Sequence, residues 1–209
     1  MHGQIMGNFQ RPSSEIRKQV ANLTSNVLSP SLIGLSLILV VSFEATDSLF
    51  DATRWALILT AINVLPAFLF AVYLARHDRL DSVFAIARES RTQLYALGVI
   101  LSGASCVILL SLKAPLILSA SFVATFAVNI IFMCVNLWWK ISLHTAFITA
   151  AVAILFILYG FVAIASMVLV PLVAWSRVEL EHHSPAQVIT GGLLTISIVP
   201  IVFYLFGLI

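Results

Sequence analysis

An all-α integral membrane bundle of six to seven transmembrane helices, led by an interfacial amphipathic helix, is the fold class this sequence predicts, and three observations predict it. Of its 209 residues 61% are hydrophobic and 10% charged, with a mean hydropathy of +1.07, whereas soluble domains carry about 25% charged residues. The apolar residues gather into runs near the roughly 20 residues that a helix needs to cross the hydrocarbon core. Inside those runs Leu, Ile, Val and Ala follow one another without period-two alternation. A transmembrane β-barrel is thereby disfavoured, and the backbone must be satisfied within helices.

The elements follow in order. From Phe9 to Asn26, Ile16, Val20 and Leu23 recur at helical spacing and Val27 continues the stripe, while Arg11, Glu15, Arg17 and Lys18 take other faces. That pattern predicts an amphipathic helix lying in the membrane interface. Charge, Pro and Gly then bound seven apolar spans near 27–43, 53–75, 93–112, 115–139, 142–159, 161–178 and 186–208. The chain thus divides into an N-terminal arm, 1–26, and one membrane domain, 27–209. Cys106 and Cys134 fall inside apolar runs, where a thiol acts as a small hydrophobe rather than as part of a disulfide framework. Asn63, Asn129 and Asn136 within the spans, and Gly191 with Gly192, fit interhelical hydrogen bonding and close helix packing. Trp138, Trp139 and Trp175 suit the interfacial belt.

Alternation of seven spans puts the N-terminal arm, the 76–92 loop, the junction at Lys140 and the 179–185 junction on one side of the membrane. That side carries Arg11, Arg17, Lys18, Arg76, Arg79, Arg88, Arg91, Lys140 and Arg177, against Arg54 and Lys113 opposite. The positive-inside rule makes it cytoplasmic, in a multi-pass protein of a cell membrane. The net charge of +2 is too small and too scattered to indicate a nucleic-acid partner.

The polar residues that matter meet on that same side. Trp175 to Gly192 is dense in charge and imidazole between two apolar spans, and Lys140-Ile-Ser-Leu-His-Thr145 stands where the fifth span begins. Ser142 at an N-cap leaves free backbone N–H groups at the positive end of a helix. With Lys140, Arg177 and the pair Arg88 and Arg91 on the same face, the ligand that rewards several guanidinium contacts is a phosphate. His144 and one of His182 or His183 then offer a nucleophile and a proton donor, the pair that phosphohistidine catalysis requires.

Ser176-Arg177-Val-Glu-Leu-Glu-His-His183-Ser-Pro-Ala-Gln187 resembles the third signature of the type 2 phosphatidic acid phosphatase superfamily, S-R-x5-H-x3-D, at its Ser, Arg and His. Ile141-Ser142-Leu143-His144 is similar to the second signature, P-S-G-H, and Asp81-x6-Arg88-Glu89 keeps only the Arg of the first, K-x6-R-P. The resemblance covers residues 76–192. It implies that His183 is the nucleophile, that His144 protonates the leaving alkoxide, and that Arg88, Arg177 and Ser142 hold the phosphoryl oxygens. It implies a phosphorylated lipid or prenyl substrate met at the bilayer and no metal or other cofactor, and it leaves the oligomeric state open.

One departure bears on the chemistry. Gln187 stands where the signature has an Asp that orients the nucleophilic imidazole and stabilises its charge; an amide can orient but carries no charge. Glu179, four residues before His183 and so on the same helical face, is a substitute orienter. Ser184-Pro-Ala-Gln187 also reads as a capping box that starts the last helix, a role compatible with orienting His183. Two function classes follow: a phosphatase acting on a lipid phosphate or diphosphate, and a relative that binds or transports a phosphorylated lipid, or passes its phosphoryl group on, without efficient hydrolysis. Aspartate-rich prenyl-transfer motifs, a Gly-rich nucleotide loop and a glycosidase carboxylate pair are absent from the sequence.

Overall fold

A computed structural model of the chain describes residues 12–76 and 88–209. Every regular element among them is helical: α1 (Pro12–Val27), α2 (Pro30–Glu44), α3 (Leu49–Leu59), α4 (Leu65–Arg76), α5 (Arg88–Ser111), α6 (Leu116–Asn136), α7 (Leu143–Tyr159), α8 (Leu169–Glu179) and α9 (Pro185–Leu205). A π-turn at Thr60–Val64 joins α3 to α4, and a 3-10 segment at Gly160–Val168 leads into α8. The protein is a multi-pass membrane protein. Among the described residues Leu49–Leu74, Arg91–Ser111, Leu116–Asn136, Leu143–Glu179 and Pro185–Leu205 are long and apolar enough to cross a membrane, and Glu15–Val27 with Pro30–Glu44, bent by 41° at the break between them, makes a sixth if the pair is counted as one span. The 21 residues of α6, at about 1.5 Å each, match a hydrocarbon core of about 30 Å.

The 37-residue stretch Leu143–Glu179 is about twice that thickness, and it reverses at Gly160. There φ is +56° and ψ is −133°, a conformation that a Cβ makes costly. The return limb packs back along α7, which separates the spans expected at 142–159 and 161–178. The reversal lies beside the end of α2, where the Tyr159 hydroxyl donates to Glu44 Oε2 at 2.9 Å. Phe161, Val162 and Val168 on the 3-10 segment are exposed, as lipid-facing side chains should be.

The break between α3 and α4 has a local cause. Pro66 has no N–H to give the Ile62 carbonyl and its ring would crowd that turn; the π-turn just before it shifts the ladder, with Leu65 N–H reaching Thr60 O. The asparagines bridge helices as expected. Asn63 Nδ2 donates to Ser105 Oγ at 2.7 Å, Asn129 Nδ2 to Gly98 O at 3.2 Å, and Asn136 Nδ2 to Thr92 Oγ1 at 3.2 Å. Gly191 lets α9 close on the start of α7: a methyl group there would meet the Ser142 carbonyl oxygen at 3.0 Å. Cys106 is buried and Cys134 exposed, both unpaired.

At the outer edge α1 packs on α8 with Ala21 and Ser25 buried, while Ile16, Val20, Leu23 and Val27 point away from the protein. The apolar stripe therefore faces lipid, and the small residues of the opposite face allow close approach to α8. Arg17 Nη2 and Glu179 Oε2, 2.6 Å apart, tie the two helices. Arg11 and Arg79 lie outside the described residues.

Candidate functional site

The sequence's two polar clusters come together because two turns lie side by side. One is the connection from α6 to α7. Ser142 is the N-cap of α7, its Oγ accepting from Thr145 N–H at 3.4 Å and from the Thr145 hydroxyl at 3.1 Å. The other is the connection from α8 to α9. The carbonyl of Arg177 accepts the backbone N–H of both His182 (3.1 Å) and His183 (3.2 Å), and Glu181 takes a left-handed conformation, φ +60°. The short spacing between Arg177 and His183 is thus closed by the backbone. Lys140 Nζ donates to the His182 carbonyl, which joins the two turns.

These turns cap a cavity of about 390 Å³ that Arg91, Lys140, His144, Arg177 and His183 line at one end. The rest of it extends between α2, α4, α5, α6 and α7 along apolar side chains such as Leu37, Leu97, Phe122 and Phe147. No Asp or Glu lines it among the described residues. A polar, cationic mouth over an apolar interior is a shape for an amphiphile with an anionic head.

Arg177 is the electrostatic centre. It is 5% exposed, its Nη1 donates to Ser25 Oγ at 2.6 Å, and its Nε has no hydrogen-bond partner among the described residues. A buried guanidinium without a carboxylate is costly unless something else supplies the negative charge. With Nη1 held by Ser25, the edge formed by Nε and Nη2 is left for a bidentate oxygen ligand. Ser25 is the site residue that sequence reasoning missed. No local motif marks it, because it reaches Arg177 from 152 positions away. Ser25→Ala is expected to weaken binding of an anionic ligand at Arg177 by about ten- to a hundredfold, the worth of a hydrogen bond to a charged group, and Ser25→Thr to restore most of it; equal affinity of all three proteins would show that Ser25 does not position Arg177.

His183 is held from the other side. Its Nδ1 is 3.1 Å from Gln187 Oε1, and the same oxygen accepts from Ser184 N–H at 3.2 Å while Ser184 Oγ accepts from Gln187 N–H at 3.3 Å. The expected capping box of α9 is present, and Gln187 performs both roles. An acceptor on Nδ1 puts the ring proton there, which leaves the Nε2 lone pair free. Burial, then the charges of Lys140 and Arg177, push His183 down to about 3, against a smaller upward effect of Gln187. Burial and then Arg177 and Lys140 push His182 down to about 4. Lys140 is itself lowered by burial and by Arg91 and Arg177.

Those shifts carry a stability prediction. In an unfolded chain both imidazoles titrate near ~6.5. The unfolded state binds the extra protons between that value and the folded ones, so stability is full above it and is lost as the pH falls. The melting temperature in detergent should therefore drop steadily below about pH 6.5, less steeply in His183→Ala; a midpoint that rises or holds constant on acidification would contradict the assignment of neutral, buried rings.

The remaining expectations divide. Arg91 lines the cavity, and the backbone carbonyl of Ser25 stands against the His144 ring. Ser142 does not line the cavity: its fully buried hydroxyl serves the α7 cap, so the phosphoryl contact implied for it is not what its side chain makes. Glu179 does not orient His183. Its carboxylate is on Arg17, because α8 ends at Glu179 and the chain then turns, so the two residues do not share a helical face. Arg88 begins α5, but its side chain, like the stretch 81–87 before it, lies outside the described residues. No group of three or more His, Cys, Asp or Glu among the described residues has the geometry to hold a metal ion. No protein-family model matches the chain, and neither curated proteins nor solved structures gave a match.

Proposed function

We propose that the protein is an integral membrane phosphatase that hydrolyses a lipid phosphate or diphosphate through a phosphohistidine on His183, in the manner of the type 2 phosphatidic acid phosphatase superfamily that its motifs resemble. The observation that carries this reading is the buried Arg177, without a carboxylate partner among the described residues and lining one cavity with His144, His183 and Lys140. In the first step His183 Nε2 bonds to phosphorus as the bond from phosphorus to the lipid oxygen breaks, and His144 gives that oxygen its proton. In the second, water attacks phosphorus, the N–P bond breaks, inorganic phosphate leaves, and His144 recovers a proton from the water. Arg177, Lys140 and Arg91 offset the charge on the phosphoryl oxygens, the largest contribution such a site can make. The lipid chain stays in the apolar cavity, and the excess of Arg and Lys in the sequence supports a cytoplasmic site.

Gln187 favours a second reading. An amide orients the imidazole but does not stabilise the positive phosphohistidine, so a protein that binds or transports a phosphorylated lipid with little turnover would keep the same cradle. Phosphate release from a panel of lipid phosphates and diphosphates decides between them. Release by the wild type that falls at least about 10³-fold in His183→Ala supports the phosphatase; tight binding without release supports the second reading, and equal release by both proteins defeats the assignment of His183.

A further inference from the structure

The apolar interior of the cavity is interrupted by a polar ring. Asn63, Ser102 and Asn129 line it, below the cationic mouth. On α5 the asparagines' partners Gly98, Ser102 and Ser105 lie seven, eleven and fourteen residues beyond Arg91, or about 10–21 Å deeper at 1.5 Å per residue. Both asparagines have assigned orientations. Asn63 Nδ2 donates to Leu59 O (3.0 Å) and Ser105 Oγ (2.7 Å), and Asn129 Nδ2 donates to Gly98 O (3.2 Å) and Ser102 Oγ (3.2 Å). Since backbone carbonyls can only accept, the nitrogen ends are fixed and both N–H groups of each amide are used.

What is left over on each amide is its oxygen. Neither Asn63 Oδ1 nor Asn129 Oδ1 accepts a hydrogen bond from any described residue, and neither is among the fully buried atoms lacking a partner; on residues that line the cavity, these oxygens are open to its contents. Asn129 is 7% exposed as a whole, so its access is to the interior rather than to the surrounding lipid. Two features of the fold present the ring. The π-turn that accommodates Pro66 carries Asn63, a distortion frequent at functional sites, and the absent side chain of Gly98 makes room for Asn129, whose Oδ1 would lie 3.3 Å from a Cβ there. A polar acceptor inside an apolar chamber is costly unless a donor meets it.

We propose that this ring is a second recognition point for the ligand, and that the ligand is a phosphorylated amphiphile whose chain carries a hydrogen-bond donor, a hydroxyl or an amide N–H, about 10–21 Å from the phosphate, rather than a plain alkyl or prenyl chain. The inference rests on the phosphate reading of the cationic mouth. A chain without a donor leaves both oxygens unmet when it displaces water from the chamber, and this disfavours it.

The test compares hexadecyl phosphate with two analogues of the same length, one bearing a mid-chain hydroxyl and one a mid-chain amide. Affinity is measured by competition in detergent on His183→Ala protein, so that the preference is read whether or not turnover occurs, and phosphate release is measured on the wild type. The expected result is about three- to tenfold tighter binding of at least one donor-bearing analogue, with the preference abolished in Asn129→Leu while hexadecyl phosphate still binds; the two analogues separate hydroxyl from amide. Where Asn129→Leu fails to fold, Asn63→Leu is the second variant. Equal affinity for all three phosphates, or a preference that survives both substitutions, overturns the ring and leaves the phosphate site standing, because the chamber then holds water or serves packing alone. Binding of none of the three overturns both readings.

Discussion

Arg177→Met is expected to abolish activity and to stabilise the protein. Loss of the guanidinium should cost at least about 10²–10³-fold in kcat, the scale of removing one preorganised donor to a developing oxyanion. The same change removes a 5%-exposed cation that has no carboxylate partner among the described residues and whose charge, after the burial of those groups themselves, holds down the proton affinity of Lys140, His182 and His183. Buried charges replaced by apolar groups of similar volume are often more stable by about 1–4 kcal/mol. Thermal unfolding in detergent, followed beside the phosphate-release assay, reads both effects. A residue kept for packing would show the opposite sign in stability, so a variant that is both less stable and fully active contradicts the role given to Arg177. A stabilising substitution that destroys activity is the signature of a site built for a ligand.

Gln187→Asp is expected to act in the other direction, raising kcat by about 10–100-fold. The contact it replaces is Gln187 Oε1 to His183 Nδ1 at 3.1 Å; Asp is one methylene shorter, so Gln187→Glu serves as the isosteric control. A carboxylate in that position would raise the proton affinity of His183 from its depressed value, make Nε2 a better nucleophile and offset the positive charge on the phosphohistidine. It also suits the first turn of α9, where a negative side chain meets the positive end of the helix. The measurement is steady-state kinetics on a lipid phosphate with the wild type, Gln187→Asp and Gln187→Leu, with Gln187→Leu expected to fall below the wild type. If Gln187→Asp is no faster than the wild type, the neutral amide is not what limits turnover. The non-hydrolytic reading makes the same comparison informative, since a carboxylate added to a dormant cradle should then produce activity from a low base.

The fold was legible because the bilayer imposes a length and a composition that few other constraints can mimic. The spans expected at 93–112, 115–139 and 186–208 correspond to α5, α6 and α9 within a few residues at each end, as charge, Pro and Gly mark where apolar runs stop. Less was legible where the backbone departs from a regular helix. The 53–75 span is one crossing in outline, but the π-turn ahead of Pro66 depends on how a helix repairs a missing donor, which composition does not encode. The site divides in the same way. Arg177 and His183 could be paired from spacing because a single turn connects them, and His144 and Lys140 because alternation of spans places them on the same face. Ser25 could not, since its contact with Arg177 follows from how α1 docks on α8. Glu179 was misplaced for a related reason: an interval of four residues shares a face only while the helix continues, and α8 ends at Glu179. The polar residues inside the spans show a further limit, since the same Asn63 and Asn129 that bridge helices also turn their oxygens to the cavity.

In the proposed reaction the phosphoryl group passes through His183. Rapid quench of the wild type into alkaline detergent during turnover of a radiolabelled lipid phosphate, followed by peptide mapping, tests it most directly. The account predicts label that is stable to alkali and labile to acid on the peptide containing His183, chased away as inorganic phosphate appears, and absent from His183→Ala. Phosphate release continuing undiminished in His183→Ala, or label on a different residue, would contradict it.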